Sequence, residues 1–462
     1  MMNNPQKSKS WRAWHDFAAN AAAFPDRPAI RVDGATYSYG QLKQKVDALV
    51  SAISRTATAA TTPVTAIYAD RSLAAYAGVL AALTCGHAYV PLNPKFPDSR
   101  NRLILERSGA AFVIASSRSE TAVRSILSLK AADGFEPDLV LADKVPLAGP
   151  AGKSQHDNPY AYILFTSGST GEPKGVPIRH ANVSAYLDAT FSVADYGPTD
   201  RLSQNFDLTF DLSVHDMFVC WRAGAELIVP SEEDLQNPAG YVLKNQVTCW
   251  FSVPSLAQKM NLADSLQPGA LSDIRLSLFC GEALPVDLAL KWKAATGQRV
   301  ENWYGPTEAT IACTRWVVPE LTANVPSRFG LAPIGVCLPG MSAVVLGEDS
   351  REVPADEMGE LLVTGPQLAD GYLNDPVKTD AAFVRLPGHD ERYYRTGDRV
   401  VADADGQLFF VDRIDNQIKI RGYRVELGEI EAKIRDLTNG CTAIVTPLPL
   451  KSATPTALVA SV

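Results

Sequence analysis

The chain has 462 residues, 46% hydrophobic and 20% charged, with 43 Lys and Arg against 51 Asp and Glu for a formal charge of −8. That length exceeds what one hydrophobic core sustains and points to about three domain-sized units, while the mild acidity argues against a broad nucleic-acid or anionic-membrane surface. Seven cysteines scattered from Cys85 to Cys441 form neither a disulfide framework nor a CxxC ligand set, so a reduced, cytoplasmic protein is expected.

The N-terminal MMNNPQKSKSWRAWHDF lacks the apolar run of a signal peptide. A helix is expected around Ala13–Ala23, then a strand in AIRV, a turn at Asp33–Gly34 and a helix from Tyr39 to about Ile53. Strand-like pieces follow in VTAIYA, AYVPL, AAFVIAS, PDLVLA and AYILFTS, separated by amphipathic stretches such as RNRLILERSGA. This alternation indicates α/β architecture with parallel sheets. The weakly apolar run Ala74–Leu92 is broken by Gly86, His87 and Pro91, and it reads as a buried helix followed by a strand rather than a membrane span. The polar loop Ala148–Pro159 reads as a surface connection. A second α/β stretch runs from about Arg201 to Tyr304, and short strands with glycine turns suggest a β-rich unit over about 325–410. The expected fold class is α/β: a large N-terminal body of packed α/β sheets plus this β-rich subdomain (1–411), then a partial small α+β C-terminal lobe (412–462). CTAIVTPL at 441–448 reads as a buried strand.

The sharpest local signal is Phe165-Thr166-Ser167-Gly168-Ser169-Thr170-Gly171-Glu172-Pro173-Lys174-Gly175, directly after the strand AYILF. Hydroxyls and exposed backbone N–H groups can wrap phosphate oxygens, glycines let the backbone approach closely, and Lys174 adds a positive charge. Neither the Walker A spacing nor a Rossmann G-x-G-x-x-G is present. A flexible surface loop is the plain alternative for such a composition.

TSGSTGEPKG resembles the TSG-T-TG-PKG loop of the adenylate-forming superfamily, which holds acyl-CoA synthetases, luciferases and amino-acid-activating domains. Further matches follow in that family's order: YSYGQL, CGHAYVPLNP, FDLSVHDMF, WYGPTEATIA, GELLVTGPQLADGYLNDP, YYRTGD and DRIDNQIKIRGYRVELGEIE. Within the superfamily the chain is similar to the adenylation domains of nonribosomal peptide synthetases and to D-alanine–carrier-protein ligases, notably through FDLSVHD and LFCGEALP. The resemblance implies a two-step reaction. ATP and a carboxylate give an acyl-adenylate and pyrophosphate, and the acyl group then passes to the phosphopantetheine thiol of a peptidyl or acyl carrier protein, in cis or in trans.

The resemblance also implies roles. Thr166, Ser167, Gly168, Ser169, Thr170, Gly171 and Lys174 would hold ATP phosphates, Glu308 would bind Mg2+, Thr307 would lie beside the α-phosphate, and Tyr304 would stack on adenine. Gly281, Glu282 and Ala283 would line adenine and ribose, Asp398 would accept the ribose hydroxyls with Arg413 nearby, and Asp415 would be the hinge of the small lobe. Read alone, Glu308 is a turn acid, Gly281 a tight turn, Asp398 and Arg413 a surface ion pair, and Asp415 a helix cap or salt bridge. Asp211 matches the aspartate that holds an α-ammonium group, which favours an amino acid; its plain alternative is a helix N-cap. Asp207, in the near-duplicate FDLT, reads as a decoy. Leu212, His215, Ser255, Leu278, Cys280, Trp303, Ile311 and Ala312 complete the pocket by motif. They are mostly apolar with no acid among them, and Trp303 argues for a small or flat side chain. His215 and Cys280 can equally be a satisfied core histidine and a small buried hydrophobe.

The expected function is therefore ATP-dependent activation of a small neutral amino acid, with no covalent nucleophile and with catalysis by alignment and charge neutralisation. The alternatives are a carboxylate–CoA ligase, in which Asp211 would be structural, and a truncated adenylate-binding module. The last is motivated by the absence after Val425 of the PxxxxGK-like motif that carries the family's C-terminal lysine. Ala369-Asp370-Gly371-Tyr372 also departs from the pattern, since peptide-synthetase relatives usually have arginine before Gly-Tyr.

Overall fold

Strands short enough to be covered by one helix, each followed by an amphipathic segment, build the first half of the chain. The computed structural model describes residues 11–58, 60–130, 134–147, 156–167, 173–320, 325–415, 417–420, 423–438, 443–449 and 457–462. The chain divides into two compact units, one of Met1–Phe165 and Gly175–Leu235, the other of Thr166–Lys174 and Gln236–Val462.

In the first unit, α1 (His15–Ala23) precedes the antiparallel pair β1 (Pro28–Val32) and β2 (Ala35–Ser38). Ser38 then starts α2 (Tyr39–Thr56) with a reciprocal capping box to Gln41. A six-stranded sheet follows, of β3 (Val64–Tyr68), β4 (Ala88–Leu92), β5 (Phe112–Ala115), β6 (Asp138–Leu141), β7 (Tyr160–Thr166) and β8 (Lys174–Arg179). Its order, β6-β5-β3-β4-β7-β8, and its parallel pairs are those of βαβ units. Between the strands lie α3 (Leu73–Thr84), α4 (Asp98–Ser108), α5 (Glu120–Ser128) and, after β8, α6 (His180–Val193). Helix α3 is buried from Ala75 through Leu83, so the weakly apolar run is, as expected, a core helix followed by β4. No helix among the described residues is long and apolar enough to cross a membrane. Strands β9 (Arg201–Ser203) and β10 (Glu226–Ile228) flank α7 (Leu212–Ala223) and continue the order β9-β10-β1-β2.

The second unit opens with α8 (Pro238–Asn245), then β11 (Cys249–Ser252), α9 (Pro254–Leu262), β12 (Leu276–Phe279), α10 (Val286–Thr296), β13 (Arg299–Tyr304), β14 (Thr314–Val317) and β15 (Val336–Cys337). The strands lie in sequence order, parallel from β11 to β13 and antiparallel thereafter. Trp292 of α10 packs on Trp250 and Phe279 and donates its indole N–H to Ser277, which fixes α10 against one sheet face. The β-rich stretch comprises β16 (Ser342–Leu346), β17 (Met358–Thr364), α11 (Pro376–Ala382), β18 (Phe383–Arg385), β19 (Arg392–Ala402) and β20 (Leu408–Arg413). Strand β20 runs continuously through position 411. Beyond it lie the pair β21 (Gln417–Ile420) and β22 (Tyr423–Glu426), α12 (Leu427–Leu437), and the pair β23 (Ile444–Leu448) and β24 (Ala457–Ser461).

The expected architecture, an α/β body with mixed sheets and a small C-terminal α+β segment, is present. One expectation is corrected. Strand β23 exists, but it is not a buried strand: Val445 is covered while Ile444 is 61% exposed, because its only sheet partner among the described residues is β24. Most of the Ala148–Pro159 loop lies outside the described residues.

Candidate functional site

Strand β13 ends at Tyr304 and enters a loop that folds back on itself. A Cβ on Gly305 would stand 2.5 Å from the Ala312 Cα, so nothing larger fits where the loop closes. After the single turn Thr307–Ala309, Thr310 and Ile311 have φ of 54° and 76°. Such left-handed backbone costs a β-branched residue roughly 1–3 kcal/mol and persists only where surroundings over-determine it. Gln367, buried, supplies that constraint. Its Nε2 donates to the carbonyl oxygens of Ala312 at 2.8 Å and Ala309 at 3.1 Å, with Thr310 more distant at 3.4 Å. The Thr310 hydroxyl donates back to the Gln367 carbonyl at 2.5 Å.

The loop carries Glu308, whose side chain is wholly out of solvent. A buried carboxylate needs donors and a counter-charge. Tyr372 donates its phenol proton to Oε1 of Glu308 at 2.9 Å, and Lys174 Nζ stands 3.4 Å from the same oxygen. Lys174 also donates to the Tyr372 oxygen at 3.1 Å. At the end of β7, the Thr166 hydroxyl is buried with no hydrogen-bond partner among the described residues, and Ser167 is buried beside it in sequence. An orphaned hydroxyl is the kind of group a phosphate oxygen would satisfy. Gly168, Ser169, Thr170 and Gly171 lie outside the described residues. Among the described residues no group of three or more His, Cys, Asp or Glu could hold a metal. One carboxylate nonetheless suits Mg2+, which keeps several waters and takes its other ligands from phosphates.

A second cluster forms where β19 pairs with β20, with Asp398 opposite Arg413. Arg413 donates to Asp398 Oδ1 at 2.5 Å, and the Tyr304 phenol donates to Oδ2. Burial first and the Asp398 charge second hold the Tyr304 phenol well above its ordinary pKa, so it stays a donor. The other edge of the Arg413 guanidinium grips Asp415 at 2.6 and 2.7 Å. One arginine therefore joins the expected ribose acid to the expected hinge residue. Each Asp398 oxygen retains acceptor capacity for a further hydroxyl.

The remaining expected residues of this unit lie on β11–β13 and the turns that follow. Gly281 turns with φ of 91°. Glu282 accepts from the Ser255 backbone N–H at 2.9 Å and from its hydroxyl at 3.2 Å, so that hydroxyl is committed. Leu278 lies opposite Glu301 in register, and the Trp303 indole N–H donates to Glu301 Oε2 at 2.7 Å. Arg299 and Arg315 balance that buried acid. Cys280, Ile311 and Ala312 are buried.

Asp211, Leu212 and His215 belong to the first unit. Asp211 occupies the N-cap position of α7, yet its side chain makes no capping bond and is nearly buried. Burial, with the Asp211 charge next, pushes up the phenols of Tyr89 and Tyr162, and neither hydroxyl has a hydrogen-bond partner among the described residues. Asp207 instead pairs with Arg71 at 3.3 Å. His215 has both ring nitrogens occupied, by Tyr186 at 2.6 Å and Tyr196 at 3.4 Å, and burial lowers its pKa to about 3. It is a buried neutral imidazole whose two nitrogens are already engaged, not a free polar selector.

Sequence reasoning assigned no role to Gln367, Tyr372 or Glu301, although GPQLADGYLNDP was among the matched motifs. Their partners lie elsewhere in the chain or across a sheet face, and nothing local marks them.

Residues 17–373 match the family described as AMP-binding enzyme. The chain belongs to that family. Malpinin synthetase of Mortierella alpina is 35% identical over 447 residues, covering 94% of this chain but 6% of that protein. The D-alanine–D-alanyl carrier protein ligase of Bacillus licheniformis is 32% identical over 427 residues, covering 92% and 83%. The Vibrio cholerae adenylation domain AlmE, solved in complex with glycyl-adenosine-5′-phosphate, matches with a TM-score of 0.86 at 30% identity, covering 100% of this chain and 89% of that one. The chain is therefore an AMP-binding enzyme of the adenylating type, and it spans only a small part of malpinin synthetase's own length.

Proposed function

We propose that this chain activates a small neutral amino acid as its adenylate, with release of pyrophosphate, and that a carrier-protein phosphopantetheine thiol then accepts the acyl group. Asp211 carries the proposal. It is a nearly buried acid at a helix start whose side chain makes no capping bond to that helix. An acid so placed is suited to an ammonium group, and a carboxylate–CoA ligase has no use for one there.

In this reading the second unit binds the nucleotide. Thr166, Ser167 and Lys174 meet the phosphates, Glu308 holds Mg2+, Thr307 lies beside the α-phosphate, and Asp398 with Arg413 receives the ribose. When bound, the metal neutralises phosphate charge as the substrate carboxylate attacks phosphorus. Trp303, held by Glu301, fills side-chain volume and favours a small substrate. The glycyl adenylate named for AlmE and the D-alanine of the ligase relative point the same way. The 412–462 segment is proposed as the moving lobe, hinged at Asp415.

The test is amino-acid-dependent ATP–pyrophosphate exchange with glycine, L- and D-alanine, serine, threonine, cysteine, valine and proline. Asp211→Ala should raise the amino-acid KM by at least tenfold, the order of a lost charge-assisted contact, with the ATP KM little changed. Exchange driven only by non-amino carboxylates, or equal effects on both substrates, would overturn the assignment.

A further inference from the structure

We propose that Tyr372 is the positioning residue of Glu308: its phenol fixes one carboxylate oxygen, parks the phosphate-loop lysine, and keeps the buried acid satisfied when that lysine leaves. The inference rests on the reading of Glu308 as the metal carboxylate.

The geometry is a three-membered cluster. The direct Lys174–Glu308 approach is 3.4 Å, longer than a good charged hydrogen bond, whereas the two contacts through the phenol are 2.9 and 3.1 Å. The hydroxyl thus acts in both senses, donating to Oε1 and accepting from Nζ. The ammonium also stands 4.5 Å from the centroid of the same ring, a cation–π distance. Lysine is a flexible point charge and can leave for a phosphate. Glu308 sits in a strained loop with no exposed surface and cannot follow.

Tyr372 is built to stay. Its backbone N–H donates to Thr379 Oγ1 at 2.9 Å, and that hydroxyl donates to the Asp375 carbonyl at 2.7 Å. Gly371, at φ 147°, has Thr379 Cγ2 only 2.3 Å from where a Cβ would lie, so the chain before the ring is pressed against α11. The Phe383 ring meets Tyr372 edge-on at 5.8 Å. Two residues upstream of Gly371, the Ala369 N–H donates to the Glu308 carbonyl at 2.9 Å, tying this segment to the loop it serves.

The consequences are specific. When Lys174 moves to phosphate it loses a phenol contact, but Glu308 keeps its donor and is not stranded as an unpaired buried charge. Without the hydroxyl, Lys174 pairs with Glu308 directly, and its departure for phosphate strands the buried carboxylate unless a divalent cation takes its place. Binding of metal-free ATP should therefore suffer more than binding of metal-loaded ATP.

The experiment is calorimetric titration of the full chain with ATP, in EDTA and over a Mg2+ series, with no amino acid present. Tyr372→Phe keeps the ring and its packing and removes only the hydroxyl. A hydrogen bond to a charged group is worth roughly one to two decades in an equilibrium constant, so the ATP affinity in EDTA should fall about tenfold. Affinity at saturating Mg2+ should change less than threefold. Tyr372→Phe indistinguishable from wild type, while Tyr372→Ala loses binding in both conditions, would show that only the ring matters and overturn the proposal. Equal weakening with and without Mg2+ would overturn it as well. Glu308→Gln separates this from the underlying reading: if that variant keeps the wild-type Mg2+ dependence, Glu308 is not the metal carboxylate. If Glu308→Gln loses the dependence and Tyr372→Phe keeps it at the wild-type level, the Tyr372 assignment alone fails.

Discussion

Replacing Gln367 by leucine tests whether the strained loop after β13 is held from outside. Leucine is close in volume, so the cavity contribution is small, and the backbone oxygen that accepts from Thr310 is retained. Two well-formed hydrogen bonds, at 2.8 and 3.1 Å, disappear, and the carbonyls of Ala309 and Ala312 lose donors in a buried loop. At about 1–2 kcal/mol for each carbonyl so abandoned, the loss is roughly 2–4 kcal/mol. The conformations of Thr310 and Ile311 then have less to hold them, and relaxation toward negative φ would displace Glu308 on one side and Ala312 on the other. Urea unfolding followed by tryptophan fluorescence should show a lower midpoint, and pyrophosphate exchange should lose at least tenfold in kcat/KM. Gln367→Glu, which aims a carboxylate at the same carbonyls, should be worse in both assays. If Gln367→Leu lies within about 0.5 kcal/mol of wild type, the range of an ordinary surface change, with unaltered exchange kinetics, then the loop holds its own shape and the reasoning fails.

Two further outcomes are expected. Thr166→Val removes a buried hydroxyl that has no partner among the described residues; thermal stability should stay level or rise by about 1 kcal/mol, while ATP binding measured by calorimetry weakens, and a loss of stability without a loss of affinity would contradict the phosphate role. His87, His180 and His215, all in the first unit, are lowered to about 4, about 3 and about 3, in each case mainly by burial. Their folded values lie below the ordinary 6.5, so the stability they lend is present above pH 6.5 and is lost as pH falls toward 3–4. Buried Asp216 is shifted upward, mainly by burial, and opposes part of this, and the histidines outnumber it, so stability should fall as pH drops from about 6 to 4. A thermal-unfolding midpoint that stays flat from pH 7 to pH 5 would refute this.

Much of the fold was legible because its signals are local. The apolar runs that became β3, β4, β5 and β7 are bounded by turn residues, and the Ser38–Gln41 capping box marks the start of α2 within four residues of chain. The proposed chemistry was legible for a related reason. A phosphate loop needs hydroxyls, glycines and a lysine in one short stretch, and Glu308 follows Gly305-Pro306 because a tight turn must present it. What pattern could not distinguish was choice among like residues. Asp207 and Asp211 sit in nearly identical tetrapeptides, and only the fold brings Arg71 to the first. His215 looked equally fit for a polar selector or a core residue until two phenols closed on its ring nitrogens.

By itself the sequence determined the order of strands and helices, the α/β class and the residue types proposed to handle phosphate, metal and ammonium. Tertiary structure decided which of those groups are already committed and to whom. Tyr372 reaches Glu308 across 64 positions and Lys174 across 198, and Gln367 reaches Ala312 across 55. The physical reason is that propensity and spacing report the energy of a chain with its neighbours along the sequence. The satisfaction of a buried charge depends on groups that meet only after the sheets have formed and the loops between them have closed.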